Sequence, residues 1–426
     1  MQYEKGKIYI PSVLWFGKLP VNWSVKKLKY VVNLRNVKTR DETDLPYLGL
    51  ENIESKTGKI IKNTSNNDDD FNESLANIFY EGDVVFSKLR PYLAKCTVVD
   101  FNGKGTNELL VLHAKPKEVI NSYLAYTMLT NAFTDLVDSS TYGSKMPRAN
   151  WSFIGSQLIP LPDLREQTQI ANFLNQKTTE IDSLISDKET MISLLKEQRQ
   201  AMITEAVTKG LNPEVKMKES ELDGIGVIPE HWRIGKIKYE FNNLDYKRIP
   251  LSSEERGLME NKKYDYYGAS GVIDLVEDYI FDDTLILIGE DGANLYSRNS
   301  PLAYMASGKF WVNNHAHILK PKNGDINYFV NLLESLDYTI YISGSAQPKL
   351  TQEKLGSIQI PVPPKKEQEQ IAEYIVEKDD DFKSLIHILN QQVSKLKEYR
   401  QSLIYEAVIG KIDVRNYSTS EVEVEI

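Results

Sequence analysis

The sequence predicts an α+β chain, with two globular domains joined by two long antiparallel helices. These helices form a coiled-coil-like spacer in a pseudo-twofold tandem repeat. Three observations predict it. Residues 142–210 align with 343–411 at a constant offset and without a gap. Each copy of a Pro-x-Pro turn (Ile159-Pro160-Leu161-Pro162 and Ile360-Pro361-Val362-Pro363) leads into a long stretch free of Gly and Pro. Upstream of each turn lies a mixed, strand-rich segment in which the two copies show no convincing similarity.

The elements follow in order. The first domain, 1–162, opens with Leu19-Pro20 and Trp23, then Leu28, Lys29 and Tyr30. Its strands are expected at Asp83–Phe86 and Thr97–Val99, between Gly and Asn residues, with a helix from Tyr123 to Leu136 and a polar loop over 63–70. A spacer helix fills 163–210. Asp163 and Glu166 form a D-x-x-E capping pattern at its start, and Gly210 with Pro213 stops it. Residues 165–207 would span roughly 65 Å. A linker and second opening motif occupy 211–232, where Ile228-Pro229, Trp232, Ile237, Lys238 and Tyr239 repeat the first. The second domain is 233–362, with a buried strand at Thr284–Gly289 and a helix at Ile326–Leu336. A second spacer helix fills 363–411, and 412–426 reads as a loose tail. Between Trp23 and Gly143 the first copy is eight residues longer than the second is between Trp232 and Gly344.

Both helices carry one apolar stripe at spacings of three, four and seven. In the first it runs through Ile181, Leu184, Ile185, Ile192, Leu195 and Met202. In the second it runs through Phe382, Leu385, Ile386, Val393, Leu396 and Leu403. A stripe that long needs a partner in water, and the matching positions make the two helices each other's expected partner.

Composition narrows the function. The formal charge is −9, so nucleic-acid binding would rest on local patches or on a partner's positive surface. The single cysteine, Cys96, excludes a disulfide framework and a cysteine zinc site, and fits a reducing cytoplasm. There is no phosphate loop, dinucleotide fingerprint, Asn-Pro-Pro-aromatic run, G-x-S-x-G or H-E-x-x-H. Catalytic residues and cofactors are therefore not expected. His315 and His317 share one strand face but have no third ligand at a persuasive spacing, so hydrogen-bonded histidines are expected rather than a metal site. Asp68-Asp69-Asp70 lacks the Gly and closing Glu of a calcium loop.

The motifs GKLPVNW and GVIPEHW, IPLP and IPVP, REQTQIA and KEQEQIA, and RQAMITEAV and RQSLIYEAV resemble the specificity (S) subunit of type I restriction-modification systems, the HsdS family. EGDVVFSKLRP and VLHAKP resemble pieces of that family's target recognition domains. The resemblance implies two such domains, each reading half of a bipartite, asymmetric site in double-stranded DNA, with the helices setting the spacing. It further implies two methyltransferase (M) subunits docked on the helices, and restriction/motor (R) subunits joining through that core. The charge departs from a simple DNA binder: residues 24–150 carry 17 basic and 16 acidic side chains, and 233–350 carry 13 and 16.

Loop cations and amides are the expected DNA contacts, because they donate to phosphates and base edges. In the first domain these are Lys88, Arg90, Tyr92, Ser144, Lys145 and Arg148. In the second they are Arg298, Lys309, Asn313, His315, Ser345, Gln347 and Lys349. The alternative is a two-domain coiled-coil adaptor that binds proteins and reads no DNA.

Overall fold

The computed structural model describes residues 15–39, 45–61, 75–344 and 347–415. Asp68-Asp69-Asp70, Ser345 and the tail beyond Arg415 lie outside them. The long helices are Leu164–Lys209 and Lys365–Val408. The chain forms two compact units, 1–189 with 391–426, and 190–390. Each unit therefore combines one domain with the end of one long helix and the start of the other.

In the first unit, strand Ser24–Lys27 pairs antiparallel with Leu158–Leu161, Ser24 opposite Leu161. The opening motif is thereby tied to the turn that launches the helix. The second unit repeats this with Arg233–Lys236 on Gln359–Val362, Arg233 opposite Val362. Trp23 and Trp232 are buried behind these ribbons.

The domain interiors share a backbone frame that the sequence comparison missed. The first domain has one sheet in the order Val32–Arg35, Leu109–Ala114, Val84–Ser87, Cys96–Val98. A second runs Lys38–Thr39, Ala76–Phe79, Gly103–Gly105, Tyr47–Leu48. The second domain has one six-stranded sheet: Phe241–Asn243, Ala316–Pro321, Phe281–Gly289, Ala303–Val312, Tyr264–Gly268, Gly271–Val276. Its long strand Phe281–Gly289 takes the places of both Ala76–Phe79 and Val84–Ser87. In both domains a parallel neighbour follows, Tyr47–Leu48 on Gly103–Gly105 and Tyr264–Gly268 on Ala303–Val312. Strand pairing is a backbone property and tolerates any apolar residue on the inner face. Val84 and Phe86 can thus correspond to Ile286 and Ile288 without a single identity.

The helix expected from Tyr123 to Leu136 is two helices, Asn121–Leu129 and Asn131–Asp138. Thr130 is extended between them and caps the second, its hydroxyl accepting from the Phe133 amide. In the second domain Asp325 caps a single helix, Ile326–Ser335.

The shared Glu-Gln pair does more than cap. Asp163 Oδ1 accepts from the Glu166 amide at 2.8 Å, as the pattern predicts. The Glu166 carboxylate, however, turns to Trp23 Nε1 at 3.0 Å, and Glu367 in the second copy meets His231 Nε2 at 2.8 Å. Gln167 Nε2 donates to the Pro162 carbonyl at 3.0 Å while its Oε1 accepts from the Ile120 amide at 2.8 Å. Gln368 repeats this with the Pro363 carbonyl at 2.9 Å and the Asp325 amide at 2.9 Å. Each glutamine pins its domain's helical layer to its own spacer helix.

A buried tyrosine pins each domain to the other spacer helix. The Tyr123 hydroxyl lies 2.9 Å from the Pro160 carbonyl and 3.3 Å from that of Val408. The Tyr328 hydroxyl lies 3.2 Å from the Pro361 carbonyl and 3.0 Å from that of Val207. Val207 and Val408 lie in the last turns of the helices, where carbonyls lack helical partners.

Antiparallel helix contacts occur within each unit. In the first, Arg400 Nε meets Asp182 at 2.9 Å, Lys397 meets Glu189 at 2.9 Å, and Lys188 donates to Gln392 at 2.7 Å. In the second, Arg199 pairs with Asp379, and Ile203, Ala206 and Val207 share a core with Ile371, Ala372 and Ile375. Of the stripe residues, Ile181, Ile185, Ile192, Val393 and Leu403 are buried, while Leu195, Met202, Phe382, Ile386 and Leu396 are partly covered. Leu184 and Leu385 depart from the expectation: both are 50% exposed. They sit beside Ile185 and Ile386, roughly 100° round the helix at 3.6 residues per turn, on the flank of the seam.

Candidate nucleic-acid interface

Two distant stretches of the first domain meet beyond strand Val84–Ser87. The Lys88 amide donates to the Glu108 carbonyl at 3.0 Å, and the Ala149 amide donates to the Lys88 carbonyl at 2.9 Å. The Arg90 amide donates to the Pro147 carbonyl at 2.8 Å. Tyr142 and Arg148 exchange both backbone bonds at 3.1 Å, closing a small loop over Ser144 and Lys145. Arg90 is left-handed at φ 48°, and Pro91 starts the 3-10 turn Pro91–Leu93. Lys88, Arg90, Tyr92, Ser144, Lys145 and Arg148 thus belong to two apposed loops. Arg90, Tyr92, Ser144 and Lys145 are exposed and Lys88 is half-buried. Arg148 is held by Glu108 at 3.0 Å, which orients its guanidinium and offsets part of its charge.

The second domain has the same backbone circuit. The Glu290 amide donates to the His315 carbonyl at 2.9 Å, and the Leu350 amide to the Glu290 carbonyl at 2.8 Å. The Gly292 amide donates to the Pro348 carbonyl at 3.1 Å, and Ser343 and Lys349 exchange bonds at 2.9 and 2.8 Å. Bond by bond, Lys88, Arg90, Glu108 and Arg148 correspond to Glu290, Gly292, His315 and Lys349. One frame carries a basic loop in the first domain and an acidic Glu290-Asp291 loop in the second.

That acidic loop is held in a network. Glu290 takes Arg248 Nη1 on one oxygen and Lys349 Nζ, at 3.0 Å, on the other. Asp245 Oδ2 lies 2.6 Å from His317 Nδ1, and Asp245 Oδ1 accepts from the Ile318 amide at 2.8 Å. His317 Nε2 lies 2.7 Å from the Leu350 carbonyl, which can only accept, so this nitrogen carries a proton. Burial alone would raise both carboxylates. For Asp245 the hydrogen bond and charge of His317, then the Ile318 amide and Asn243, outweigh burial and hold it below its usual range. For Glu290 the Arg248 bond, the His317 charge and Lys349 do the same.

Asp245, Glu290 and His317 bring ligand atoms within 4.8 Å of one another. The fold thus supplies the acidic neighbours that sequence spacing did not reveal beside His317. Arg248 and Lys349 already bring positive charge to Glu290, so the donor set is that of a hydrogen-bonded ion network. His315 stands apart, its Nδ1 2.9 Å from both Asp291 oxygens.

The remaining expected contacts are scattered. Arg298 is turned to Glu334 at 3.4 Å and lies 5.9 Å from the Tyr338 ring centre, on the domain's helical layer rather than beside His315. Lys309 is on strand Ala303–Val312 with its ammonium 4.5 Å from the Tyr279 ring centre. Asn313 is buried, its Oδ1 accepting from the His315 amide at 2.8 Å, so it shapes the turn that carries His315. Gln347 is exposed beside Lys349. Glu290, Asp291 and Arg248 carry no local sequence signal of a loop that donates to DNA. The available signal was Gly289-Glu290-Asp291-Gly292 at the end of a buried strand, the place Ser87-Lys88-Leu89-Arg90 holds in the first copy.

Residues 20–192 and 229–396 each match the family described as type I restriction modification DNA specificity domain. The chain belongs to that family. A putative type I restriction enzyme MjaX specificity subunit from Methanocaldococcus jannaschii is 26% identical, with 94% of this chain and 96% of the relative covered. The MjaVIII specificity subunit of the same organism is 24% identical, over 94% and 95%. A chain from a solved type I restriction-modification assembly matches the fold with a TM-score of 0.69 at 17% identity, over 93% of this chain and all of that one. The two matched stretches coincide with the two copies of the duplicated frame. Among the described residues no helix is long and apolar enough to cross a membrane.

Proposed function

We propose that this chain is the non-catalytic sequence-specificity subunit of a type I restriction-modification complex. Each domain reads one half of a bipartite, asymmetric site in double-stranded DNA, and the paired helices hold the two readers apart. Two methyltransferase subunits dock on the repeated helical frame, and restriction/motor subunits join through that core. The observation that carries the reading is the shared backbone circuit with different side chains: Lys88, Arg90 and Arg148 in one domain, Glu290, Gly292 and Lys349 in the other. A common frame suits two copies of one partner, while different loop chemistry suits two different base patterns. The chain's net charge of −9, with the first domain near neutral and the second acidic, supports partners supplying much of the phosphate contact.

The test is a DNA pull-down with the chain alone and with its methyltransferase subunits. Specific retention of a bipartite duplex by the complex, and no methyl transfer by the chain alone, is the expected result. A chain that never retains DNA in either form would favour the protein-binding adaptor.

A further inference from the structure

The duplicated frame is broken at one place that bears on how the first domain is aimed. Lys56 is a non-glycine residue in the left-handed region, φ 67°. Its carbonyl accepts from two spacer-helix side chains, Arg400 Nη1 at 3.2 Å and Gln401 Nε2 at 2.9 Å. Its amide donates the other way, to the carbonyls of Leu93 at 3.1 Å and Ala94 at 3.3 Å. Leu93 is in turn bonded through its amide to the Arg90 carbonyl at 3.0 Å. One residue therefore bridges the helix to the loop that presents Arg90 and Tyr92.

Neighbours reinforce the bridge. Lys59 Nζ lies 3.0 Å from Asp182 Oδ2, and Asp182 is the carboxylate that Arg400 holds across the helix pair. Gly58 packs so closely that a Cβ there would meet the Cys96 carbonyl at 2.1 Å. The second copy has the same two helix residues, Arg199 and Gln200, without the bridge. Arg199 goes to Asp379, and among the described residues Gln200 Nε2 donates to Thr204, 3.4 Å away on its own helix.

We infer that the segment around Lys56 is a strap that fixes the first domain's recognition loop to the spacer, making Lys56, Gln401 and Lys59 positioning residues for half-site spacing. The inference rests on the specificity-subunit reading. Side chains that read bases from a strapped loop must meet the groove at one distance from the other half-site. A loosened strap lets the loop follow a neighbouring spacing while its own side chains, and hence its base preference, stay the same.

The experiment measures methyl transfer by the reconstituted complex on duplexes with both half-sites at the native spacing, and at one base pair shorter or longer. Gln401→Leu with Lys59→Ala should raise transfer on the altered spacings, relative to the native one, about fivefold, the effect of losing one net hydrogen bond. Rates on the native spacing and preference within each half-site should hold. Gly58→Ala, which pushes the strap off the Cys96 carbonyl, should broaden the profile in the same direction. Gln200→Leu, at the equivalent place in the second copy, should leave it unchanged. A general loss of stability would lower transfer on all three duplexes alike, and that result overturns the inference. So does an unchanged profile in both strap variants, or equal broadening by Gln200→Leu. A wild-type complex with no sequence preference on any duplex overturns the specificity reading itself.

Discussion

The loops around Lys88 and Glu290 are made by the same backbone bonds and have opposite charge. Lys88 and Arg90 have room to act outward, because the loop is held by main-chain bonds and by the Arg148–Glu108 pair. In the second domain the charges are spent inward: Glu290 is satisfied by Arg248 and Lys349, and His317 by Asp245 and the Leu350 carbonyl. Both loops share the main-chain circuit, and the second adds a buried network of side-chain charges around Glu290. Duplication preserved the frame and left the chemistry free to change.

The contrast is broken most strongly at Glu290. Glu290→Gln removes the carboxylate facing Arg248 and Lys349 and should destabilise the second unit by about 2–3 kcal/mol. Lys88→Gln, at the equivalent position, should stay within about 0.5 kcal/mol because Lys88 is half-buried at the loop surface and makes no ion pair among the described residues. Urea unfolding of the two variants decides the matter, and equal losses would erase the distinction.

Acid should separate the two units in the same way. Asp245 and Glu290 are held below their ordinary range, so their contribution is full above the unfolded carboxylate value, about 4. It is lost as pH falls through their lower folded values. Hydrogen exchange followed from pH 6 downward should show the strands at Phe281–Gly289 and Ala316–Pro321 losing protection in that window. Glu290→Gln should flatten the pH dependence there.

Where the copies agree, their variants should agree too. Tyr123→Phe and Tyr328→Phe each remove a buried hydroxyl shared between two carbonyls and should cost ~1 kcal/mol apiece, read as matched shifts in thermal unfolding. Unequal shifts would mean that the two domains are pinned to the helices differently.

These features were unequally legible in the sequence. The long helices and the Pro-x-Pro turns were readable, because a 3.6-residue stripe and missing Gly and Pro are local signals. Strands Val84–Ser87 and Phe281–Gly289 were each visible, but not their equivalence, since pairing is a backbone relation that leaves no identities. Cations in loops were found because charge is visible in a string. Glu290, Asp245 and Arg248 were not, since their roles come from partners far along the chain. The Arg298–Glu334 pair is hidden in the same way, since nothing near Arg298 in the sequence announces Glu334. Glu166 follows the capping pattern, yet its carboxylate serves Trp23, a choice only tertiary contact makes.

The smallest expected effect concerns single phosphate contacts. If Lys88 touches phosphate alone, Lys88→Ala in the reconstituted complex should flatten the salt dependence of DNA binding by about one unit and leave sequence preference alone. A changed preference at one position would promote it to a base contact.

The central claim is that one frame presents two different readers. It is tested most directly by mapping the methylated site of the reconstituted complex before and after Lys88 and Arg90 are replaced by Ala together. The account predicts a bipartite site with two unlike halves, of which only one loses definition or affinity on replacement. A palindromic site, or a replacement that degrades both halves equally, would contradict it.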